Sequence, residues 1–300
     1  MRENYDEYKK MVDEHLLDFI PNINNLSSPL FESMKYSLTA GGKRLRSVLL
    51  LASCEFAGGK SLDALAYASA MEYIQTYSLI HDDLPAMDND DLRRGIPTNH
   101  KVYGAGIATL AGDGLLNTAF EIMYRDMFLY FDNLPELKKR INAAYAIAKG
   151  AGVCGMVAGQ VADIEAEHKQ CSNEVLEYIH LNKTGALIVS AVEAGLYIGG
   201  ADDEMMKSMV CLVKPQFEAG REQVGKNGIV RDTGVHLEVV EKCVGYAEEN
   251  GLYPYGLTFS PVKGAKGNIE FLLYVGKNQN LRYNLSCIQT VVKSSHEELK

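Results

Sequence analysis

The sequence HDDLPAMDNDDLRRG, at residues 81–95, follows an apolar helical pattern and concentrates charge. Five aspartates and two arginines lie within these fifteen residues. Carboxylates this close together repel one another unless cations bind them. Pro85 disfavours continuation of the helix, so the chain is expected to turn and to bring Asp88 back beside Asp82 and Asp83. The stretch therefore predicts the end of a helix followed by a multi-carboxylate site.

A hard divalent cation is the ligand that such a site suits. Mg²⁺ with a phosphate co-ligand fits best, because Mg²⁺ is usually held by one or two carboxylates together with waters and substrate phosphates. Arg93 and Arg94 can then bind phosphate oxygens that the metal leaves free. Lys43, Arg44 and Arg46, in the string GGKRLR, form a second cationic cluster that helix packing can bring opposite. The alternative is a solvated acidic loop with a pair of helix-capping arginines.

Composition bounds the class of protein. The chain has 300 residues, of which 47% are hydrophobic and 23% are charged, enough to bury a large core. Its net charge is −9, and residues 211–300 hold 11 basic against 10 acidic side chains, so the preceding part holds 19 against 29 and carries −10. An acidic main part disfavours a nucleic-acid surface and suits a protein that concentrates divalent cations.

Targeting signals and cysteine usage point to a soluble chain. No apolar run approaches the ~18 residues of a membrane span, and the start, MRENYDEYKK, lacks the features of a secretory signal. The six cysteines lie far apart and form no CxxC pair, which argues against a zinc site or a disulfide framework. We therefore expect no membrane span, reduced thiols and a cytoplasmic location.

The character of the chain changes near residue 210. Before that point apolar residues recur at helical spacing, which predicts an all-α bundle, over 5–20, 30–56, 62–84, 109–127 and 137–148. After it the pattern is that of an α/β fragment, with a strand at 210–213, a glycine-rich loop at 220–234, a helix at 235–250 and strands at 253–259 and 269–275. No linker separates the two parts, so the expected domains are 1–210 and 211–300.

Several strings resemble one known family. GGKRLR, YSLIHDDLPAMDNDDLRRGIPTNHKVYG, AGDGLLNTAFE, GMVAGQVADIEAE and HLNKTGALI closely resemble the short-chain trans-prenyl diphosphate synthases, in particular the bacterial farnesyl diphosphate synthases. The resemblance covers residues 1 to about 210. It implies an isoprenoid synthase helical bundle, here incomplete, that condenses isopentenyl diphosphate with dimethylallyl or geranyl diphosphate. It further implies Mg²⁺ as the cofactor and a homodimer.

The resemblance also implies a role for each matching residue. Asp82 and Asp88 match the metal ligands, with Asp83 supporting them. Arg93 and Lys183 match contacts to the allylic diphosphate. The other implied substrate contacts are Lys43, Arg46 and Arg94 for isopentenyl diphosphate, Gln75 where bacterial relatives usually have His, and Gln160 and Thr184.

Two ring side chains near the aspartates have alternative interpretations. In the family, the residue five positions before the first aspartate lines the pocket for the growing chain, and here it is Tyr77. The alternative is that Tyr77 is a core aromatic without that role. His81 could serve as a general base, but a supporting hydrogen bond to a carboxylate or diphosphate is favoured.

The part from Leu212 onward resembles a different family. LVKPQFEAGREQVGKNGIVRD, VHLEVVEKC and GLTFSPVKGAKGNIEFLLY resemble the C-terminal third of the ribosomal RNA 2′-O-methyltransferases of hemolysin A type. Lys214 and Glu270 match two of that family's four catalytic residues. The S-adenosylmethionine loop and the second aspartate-rich motif of the synthases are both absent from this sequence. The junction near residue 211 is expected to be either a gene fusion or a sequence-assembly join.

Three functions follow from these patterns. The first is a Mg²⁺-dependent prenyltransferase, impaired because the second aspartate-rich motif is missing. The second is a non-catalytic, diphosphate-binding remnant. The third, and the weakest, is an RNA 2′-O-methyltransferase, which would need the missing cofactor loop.

Overall fold

The computed structural model describes residues 2–20, 27–167, 169, 171–220, 222–225, 228–260, 263–264, 267–282 and 287–299. The chain divides into two compact units, Met1–Ala201 and Asp202–Lys300. This division lies before the junction predicted near residue 210, because side chains between residues 202 and 210 bond to later residues of the second unit. Tyr255 donates a hydrogen bond to Glu204 at 2.6 Å, and the hydroxyls of Ser208 and Tyr274 lie 2.9 Å apart.

The first unit is a bundle of α-helices, which confirms the predicted fold class. Its helices within the described residues are α1 (Arg2–His15), α2 (Ser28–Leu38), α3 (Leu45–Phe56), α4 (Leu65–Asp82), α5 (Asn99–Tyr103), α6 (Ala105–Phe128), α7 (Leu134–Ala151), α8 (Met156–Ala166), α9 (Asn173–Ile179) and α10 (Ala186–Gly199). A two-residue ribbon pairs β1 (Leu92–Arg93) with β2 (Ile96–Pro97). A π-helical segment, His180–Gly185, joins α9 to α10.

Helix ends follow local sequence signals. α2 begins at Ser28 with Pro29 in its first turn. Proline is tolerated there because the backbone N–H groups of a first turn have no acceptor within the helix. The Asn133 side chain accepts a hydrogen bond from the Glu136 amide and caps α7. Gly200, at φ 88°, ends α10 in the left-handed conformation that favours glycine.

The predicted helical pattern over 30–56 is two helices rather than one. Gly41 and Gly42 have φ of 78° and 144°, and Arg44 has φ of 50°, so no helix passes through them. α2 therefore ends at Leu38, and α3 begins at Leu45. This correction has a functional consequence, because the cationic string GGKRLR becomes a turn at the start of a helix.

α4 lies at the centre of the first unit. Its side chains are buried on all sides, including Tyr67, Met71 and Ile74, which is the pattern of a helix surrounded by others. α4 packs against α3 and α6, and α10 packs against α3 and α7. A Cβ atom on Gly195 of α10 would lie 2.1 Å from the Leu50 carbonyl oxygen, so only glycine permits this approach. The central helix thus carries its C-terminal aspartates to a defined place in the bundle.

The second unit is a small α/β fragment, as predicted. Its described elements are α11 (Asp203–Met206), β3 (Met209–Val213), α12 (Pro215–Glu218), α13 (Thr233–Glu249), β4 (Tyr253–Phe259), β5 (Phe271–Gly276) and α14 (Ile288–Glu298). The strand order is β3-β5-β4, with β5 antiparallel to both neighbours. Its core includes Val213, Val240, Phe271 and Leu273. The predicted strands and the helix α13 are confirmed, whereas α14 was not predicted.

Two further features of this unit are its edge strand and its glycine-rich loop. β3 is an edge strand, and its Val210 and Leu212 side chains are about half exposed, at 53% and 48%. Such an edge is a liability for association unless it is covered. The predicted glycine-rich loop at 220–234 includes residues 221, 226 and 227, which lie outside the described residues.

One helical stretch among the described residues, 134–166, is long and apolar enough to cross a membrane by length and composition alone. Core helices of soluble proteins can be equally long and apolar. The stretch here holds two helices, α7 and α8, and α7 packs against α10. The absence of a membrane span therefore stays a prediction.

Candidate active site

The acidic turn after α4 has the predicted geometry. α4 ends at Asp82, and the amide of Asp88 donates a hydrogen bond to the Asp82 carbonyl at 2.9 Å. The Asn89 amide donates to the Leu84 carbonyl at 3.1 Å, and Asn89 itself has φ of 52°. The predicted return of Asp88 to the end of the helix is confirmed, and it is a local consequence of the proline-containing turn.

Asp83 and Arg93 form an ion pair beside this turn. The Asp83 side chain is buried, and Arg93 donates to it through both Nε, at 3.0 Å, and Nη2. Arg93 also donates to the Asp90 carboxylate at 3.1 Å. Asp83 thus supports the turn, while the guanidinium predicted to hold the allylic diphosphate is already bound to two carboxylates.

Lys183 and Gln160 approach the same aspartates from other helices. Lys183 Nζ lies 2.5 Å from Asp163 and 3.9 Å from Asp82, and Gln160 donates a hydrogen bond to Asp82 at 2.6 Å. The approach depends on Gly159, because a Cβ atom there would lie 2.0 Å from the Lys183 amide nitrogen. The close packing of α8 against the π-helical segment therefore brings a lysine into the acidic cluster.

The electrostatics of the cluster are those of crowded carboxylates. Burial and the nearby Asp82 charge raise the pKa of Asp88. For Lys183, burial acts to lower the pKa, but the hydrogen bond to Asp163 and the Asp82 charge outweigh it and raise the pKa. An additional cation would relieve the repulsion between the carboxylates.

The number of carboxylates at the acidic turn decides whether the site suits Mg²⁺. Among the described residues no group of three or more His, Cys, Asp or Glu side chains is arranged to hold a metal ion. Asp82 and Asp88 supply two carboxylates at one turn. That number suits Mg²⁺, which commonly takes one or two protein carboxylates and fills its other positions with waters and substrate phosphates.

The cationic loop between α2 and α3 supplies the opposite charge. Lys43 is exposed, and its carbonyl accepts a hydrogen bond from the Tyr5 hydroxyl. Arg46 is partly buried, burial lowers its pKa, and its Nε has no hydrogen-bond partner among the described residues. The Arg94 guanidinium lies against Gly42, where a Cβ atom would come within 2.7 Å of its Nη1. The loop and the arginine after the acidic turn are therefore neighbours.

A cleft of about 420 Å³ joins these features. Seven of the predicted site residues line it: Arg46, Gln75, Tyr77, Asp82, Gln160, Lys183 and Thr184. Its apolar wall includes Met156, Val161 and Ile164. A much smaller cavity, of about 30 Å³, is lined by Asp83, Arg93 and Arg94. Lys43 and Asp88 line neither of these two cavities.

The two ring side chains have distinct surroundings. Tyr77 is buried in the core and also lines the cleft. Its position is therefore compatible both with the chain-length role and with the core alternative. The Nε2 atom of His81 lies 3.0 Å from the Thr109 carbonyl oxygen and 3.9 Å from the Asp113 carboxylate. His81 is thus held by α6 rather than by the aspartates of its own turn.

Two residues of this region, Asp163 and Glu72, were missed in the sequence, and Arg44 was named only as one of the cations of the string GGKRLR. Asp163 binds Lys183, and Arg44 and Glu72 form a buried ion pair beneath the cationic loop. Asp163 had a signal, because it follows Gln160 by three residues and so shares a helix face with it. Glu72 was hidden in an apolar helix, where a single carboxylate predicts nothing by itself.

In the second unit, the two residues that match the methyltransferase pattern lie together. Lys214 Nζ is 3.7 Å from the buried Glu270 carboxylate, and Gln216 donates a hydrogen bond to that carboxylate at 2.9 Å. Lys214 stands at the start of α12, immediately after β3.

Comparison with known proteins matches the chain to two family models that overlap at residues 156–215. The family model for polyprenyl synthetase matches residues 27–215, and the model for FtsJ-like methyltransferase matches residues 156–277. A farnesyl diphosphate synthase from Geobacillus stearothermophilus is 41% identical over 270 residues, which are 89% of this chain and 86% of that protein. The farnesyl diphosphate synthase of Bacillus subtilis is 39% identical over 268 residues, 87% of this chain and 85% of that protein.

The matches to other relatives cover a smaller share of this chain. The chloroplastic geranylgeranyl pyrophosphate synthase of Capsicum annuum is 49% identical over 193 residues, which are 64% of this chain and 49% of that protein. An FPP/GFPP synthase structure from Zymomonas mobilis matches with a TM-score of 0.63 at 35% identity, covering 68% of this chain and 73% of that one. A geranyltransferase structure from Legionella pneumophila matches with a TM-score of 0.62 at 32% identity, covering 68% and 70%.

Three observations point to the same family. They are the helical unit, the acidic turn opposite a cationic loop, and the extent of the matches to polyprenyl synthetases. The match to the FtsJ-like methyltransferase model begins within the helical unit and extends through most of the second unit. The chain belongs to the polyprenyl synthetase family.

Proposed function

We propose that the first unit condenses isopentenyl diphosphate with an allylic diphosphate, dimethylallyl or geranyl, in a Mg²⁺-dependent prenyl transfer that yields farnesyl diphosphate. The observation that carries this proposal is the cleft itself. Its lining combines the Asp82 carboxylate and Lys183 with Arg46 and Gln75, and most of its other side chains are apolar. Two diphosphate groups and two hydrocarbon chains are the ligands that such a lining suits.

The residues present would divide the work as follows. Asp82 and Asp88 would hold Mg²⁺, which when bound neutralises charge on the leaving diphosphate. Lys183 would donate to a diphosphate oxygen in exchange for its contact with Asp163. Arg46 would bind the second diphosphate, and Gln75 can donate to it through its amide. The apolar wall would exclude water from the reacting carbons.

A radiometric assay of the full chain tests this function. Because the second aspartate-rich motif is missing, we expect only slow formation of a chain-elongated product from isopentenyl and geranyl diphosphates with Mg²⁺, measured at high enzyme concentration, and none after chelation. The second candidate function is diphosphate binding without turnover, and it is favoured by the missing second aspartate-rich motif. Calorimetric binding of both diphosphates with no product would support the second candidate, and absence of any binding would contradict both.

Product length is expected to depend on Tyr77. Tyr77→Ala removes a ring that lines the cleft, so any products should shift to longer chains by one or more five-carbon units. Chromatography of the labelled products measures the shift. Tyr73→Phe is a suitable control, because Tyr73 lies in the same helix, is fully buried and does not line the cleft. An unchanged product distribution in Tyr77→Ala would retire the chain-length role.

We also propose a homodimer in the cytoplasm. The support for a dimer is a row of exposed apolar side chains on α6 and α7, namely Tyr124, Phe128, Ile141 and Tyr145. Exposed apolar surface of this kind is typical of an interface. Light scattering should give twice the chain mass, and a monomer at assay concentration would contradict the proposal.

The cytoplasmic location is supported by cysteines that form no disulfide in the described part of the chain.

A further inference from the structure

Arg44 differs from the other cationic residues of its loop. Its backbone is left-handed, at φ 50°, a conformation that disfavours a side chain unless the surroundings hold it. Its side chain is 3% exposed, although it lies between the exposed Lys43 and the cleft-lining Arg46 in sequence. A charged group buried this deeply must be paired to be tolerated.

The Arg44 guanidinium binds three different helices. Its Nε donates to the Asp13 carboxylate of α1 at 2.9 Å, and its Nη1 donates to the Glu72 carboxylate of α4 at 3.0 Å. Its Nη2 donates to the Leu38 carbonyl at the end of α2 at 2.8 Å. Every nitrogen of the guanidinium therefore has an acceptor inside the protein. Arg44 is placed to fix the loop rather than to bind a ligand.

Glu72 is the buried centre of the same arrangement. It is 4% exposed, and its second oxygen accepts a hydrogen bond from the Ser47 hydroxyl at 2.7 Å. Its charge also acts on Arg46 and Arg94, which have no ion-pair partner among the described residues. Because Arg44 takes the direct contact with Glu72, the other two guanidinium groups remain, within the described part of the chain, unpaired cations that an external anion can bind.

We propose that Arg44 and Glu72 are positioning residues, which hold the loop at 41–46 so that Arg46 meets a diphosphate group without any rearrangement. This inference rests on the proposed function, because it concerns the cationic part of the same cleft. A pre-organised cation costs less to order on binding, so the pair should determine affinity for the second diphosphate while leaving the acidic turn unaffected.

Calorimetry with the full chain tests this inference through two ligands. We expect Arg44→Lys and Glu72→Gln to weaken binding of isopentenyl diphosphate by at least about 10-fold, because a lysine cannot contact three acceptors and a glutamine carries no charge. Binding of a non-hydrolysable geranyl diphosphate analogue with Mg²⁺ should stay within about 2-fold of the unmodified chain. A general loss of structure would affect both ligands alike.

Arg140→Lys is the matched control. Arg140 is as buried as Arg44 and pairs with Asp126 and Glu136, but it lines neither cavity of the candidate site. It should leave both affinities unchanged at comparable folded fractions, measured by circular dichroism. If Arg44→Lys or Glu72→Gln does not fold, Asp13→Asn decides the matter by the same criterion, since Asp13 is partly exposed and also binds Arg44.

The two possible failures are distinguishable. Unchanged affinity for isopentenyl diphosphate in the folded variants overturns the positioning role alone. Equal weakening in Arg140→Lys overturns it as well, because the effect would then be one of stability. Failure of the unmodified chain to bind isopentenyl diphosphate overturns the proposed function and this inference together.

Discussion

Replacing residues 211–300 with the C-terminal helices of an intact polyprenyl synthetase is expected to raise the rate of prenyl transfer by at least about 100-fold. The family resemblance implies a second aspartate-rich motif and a lysine on later helices, and no such motif follows residue 94. Each lost contact to developing charge costs about 3–4 kcal/mol, or about 10² to 10³ in rate. Two such losses would bring turnover close to background.

The only adjacent aspartates after residue 94 do not replace this motif. Asp202 caps the short helix α11, and its carboxylate accepts hydrogen bonds from the Glu204 and Met205 amides at 3.1 and 2.8 Å. Asp203 lies in the first turn of that helix, where a carboxylate suits the helix dipole. Both acidic side chains thus have a structural role within the second unit.

The graft is compared with a second graft in which the aspartates of the added motif are changed to alanine. Rates are measured radiometrically at matched folded fractions, so that a gain in stability is not mistaken for a gain in catalysis. The second graft should be no faster than the original chain. Equal rates for the original chain and the first graft would show that the second motif is dispensable here.

Asp82→Ala should abolish Mg²⁺-dependent binding of a non-hydrolysable geranyl diphosphate analogue. Asp82 lines the cleft, accepts a hydrogen bond from Gln160 and lies 3.9 Å from Lys183, so its loss removes charge from the centre of the site. Removing one preorganised electrostatic contact costs about 10² to 10³ in kcat, and we expect a loss of affinity of at least that order here. Calorimetry with and without Mg²⁺ measures the change, and Asp88→Ala should behave in the same way.

Asp91→Ala is the matched control for this prediction. Asp91 belongs to the same acidic run, but its side chain is 76% exposed and pairs with Lys101 at 2.6 Å, away from the cleft. Exposed ion pairs contribute little to stability, so this variant should fold and bind like the unmodified chain. Unchanged affinity in Asp82→Ala and Asp88→Ala would remove the assignment of the metal site.

Much of the fold was predictable because its signals are local. Helical spacing identified the bundle, and local signals at Pro29, Asn133 and Gly200 lie at helix ends in the structure. The break between α2 and α3 was not recognised, because the apolar spacing continues across it. α14 was also missed, and its packing depends on α13 and the sheet rather than on its own sequence.

The sequence by itself determined the acidic turn, the cationic string and the change of character near residue 210. Each depends on neighbouring residues, and the return of Asp88 to Asp82 needs only the turn between them. The tertiary structure alone decided which distant groups meet: Lys183 with Asp163 and Asp82, and Arg44 with Glu72. Such contacts join residues far apart in the chain, and only the packing of whole helices, through close approaches such as that at Gly159, sets their distances.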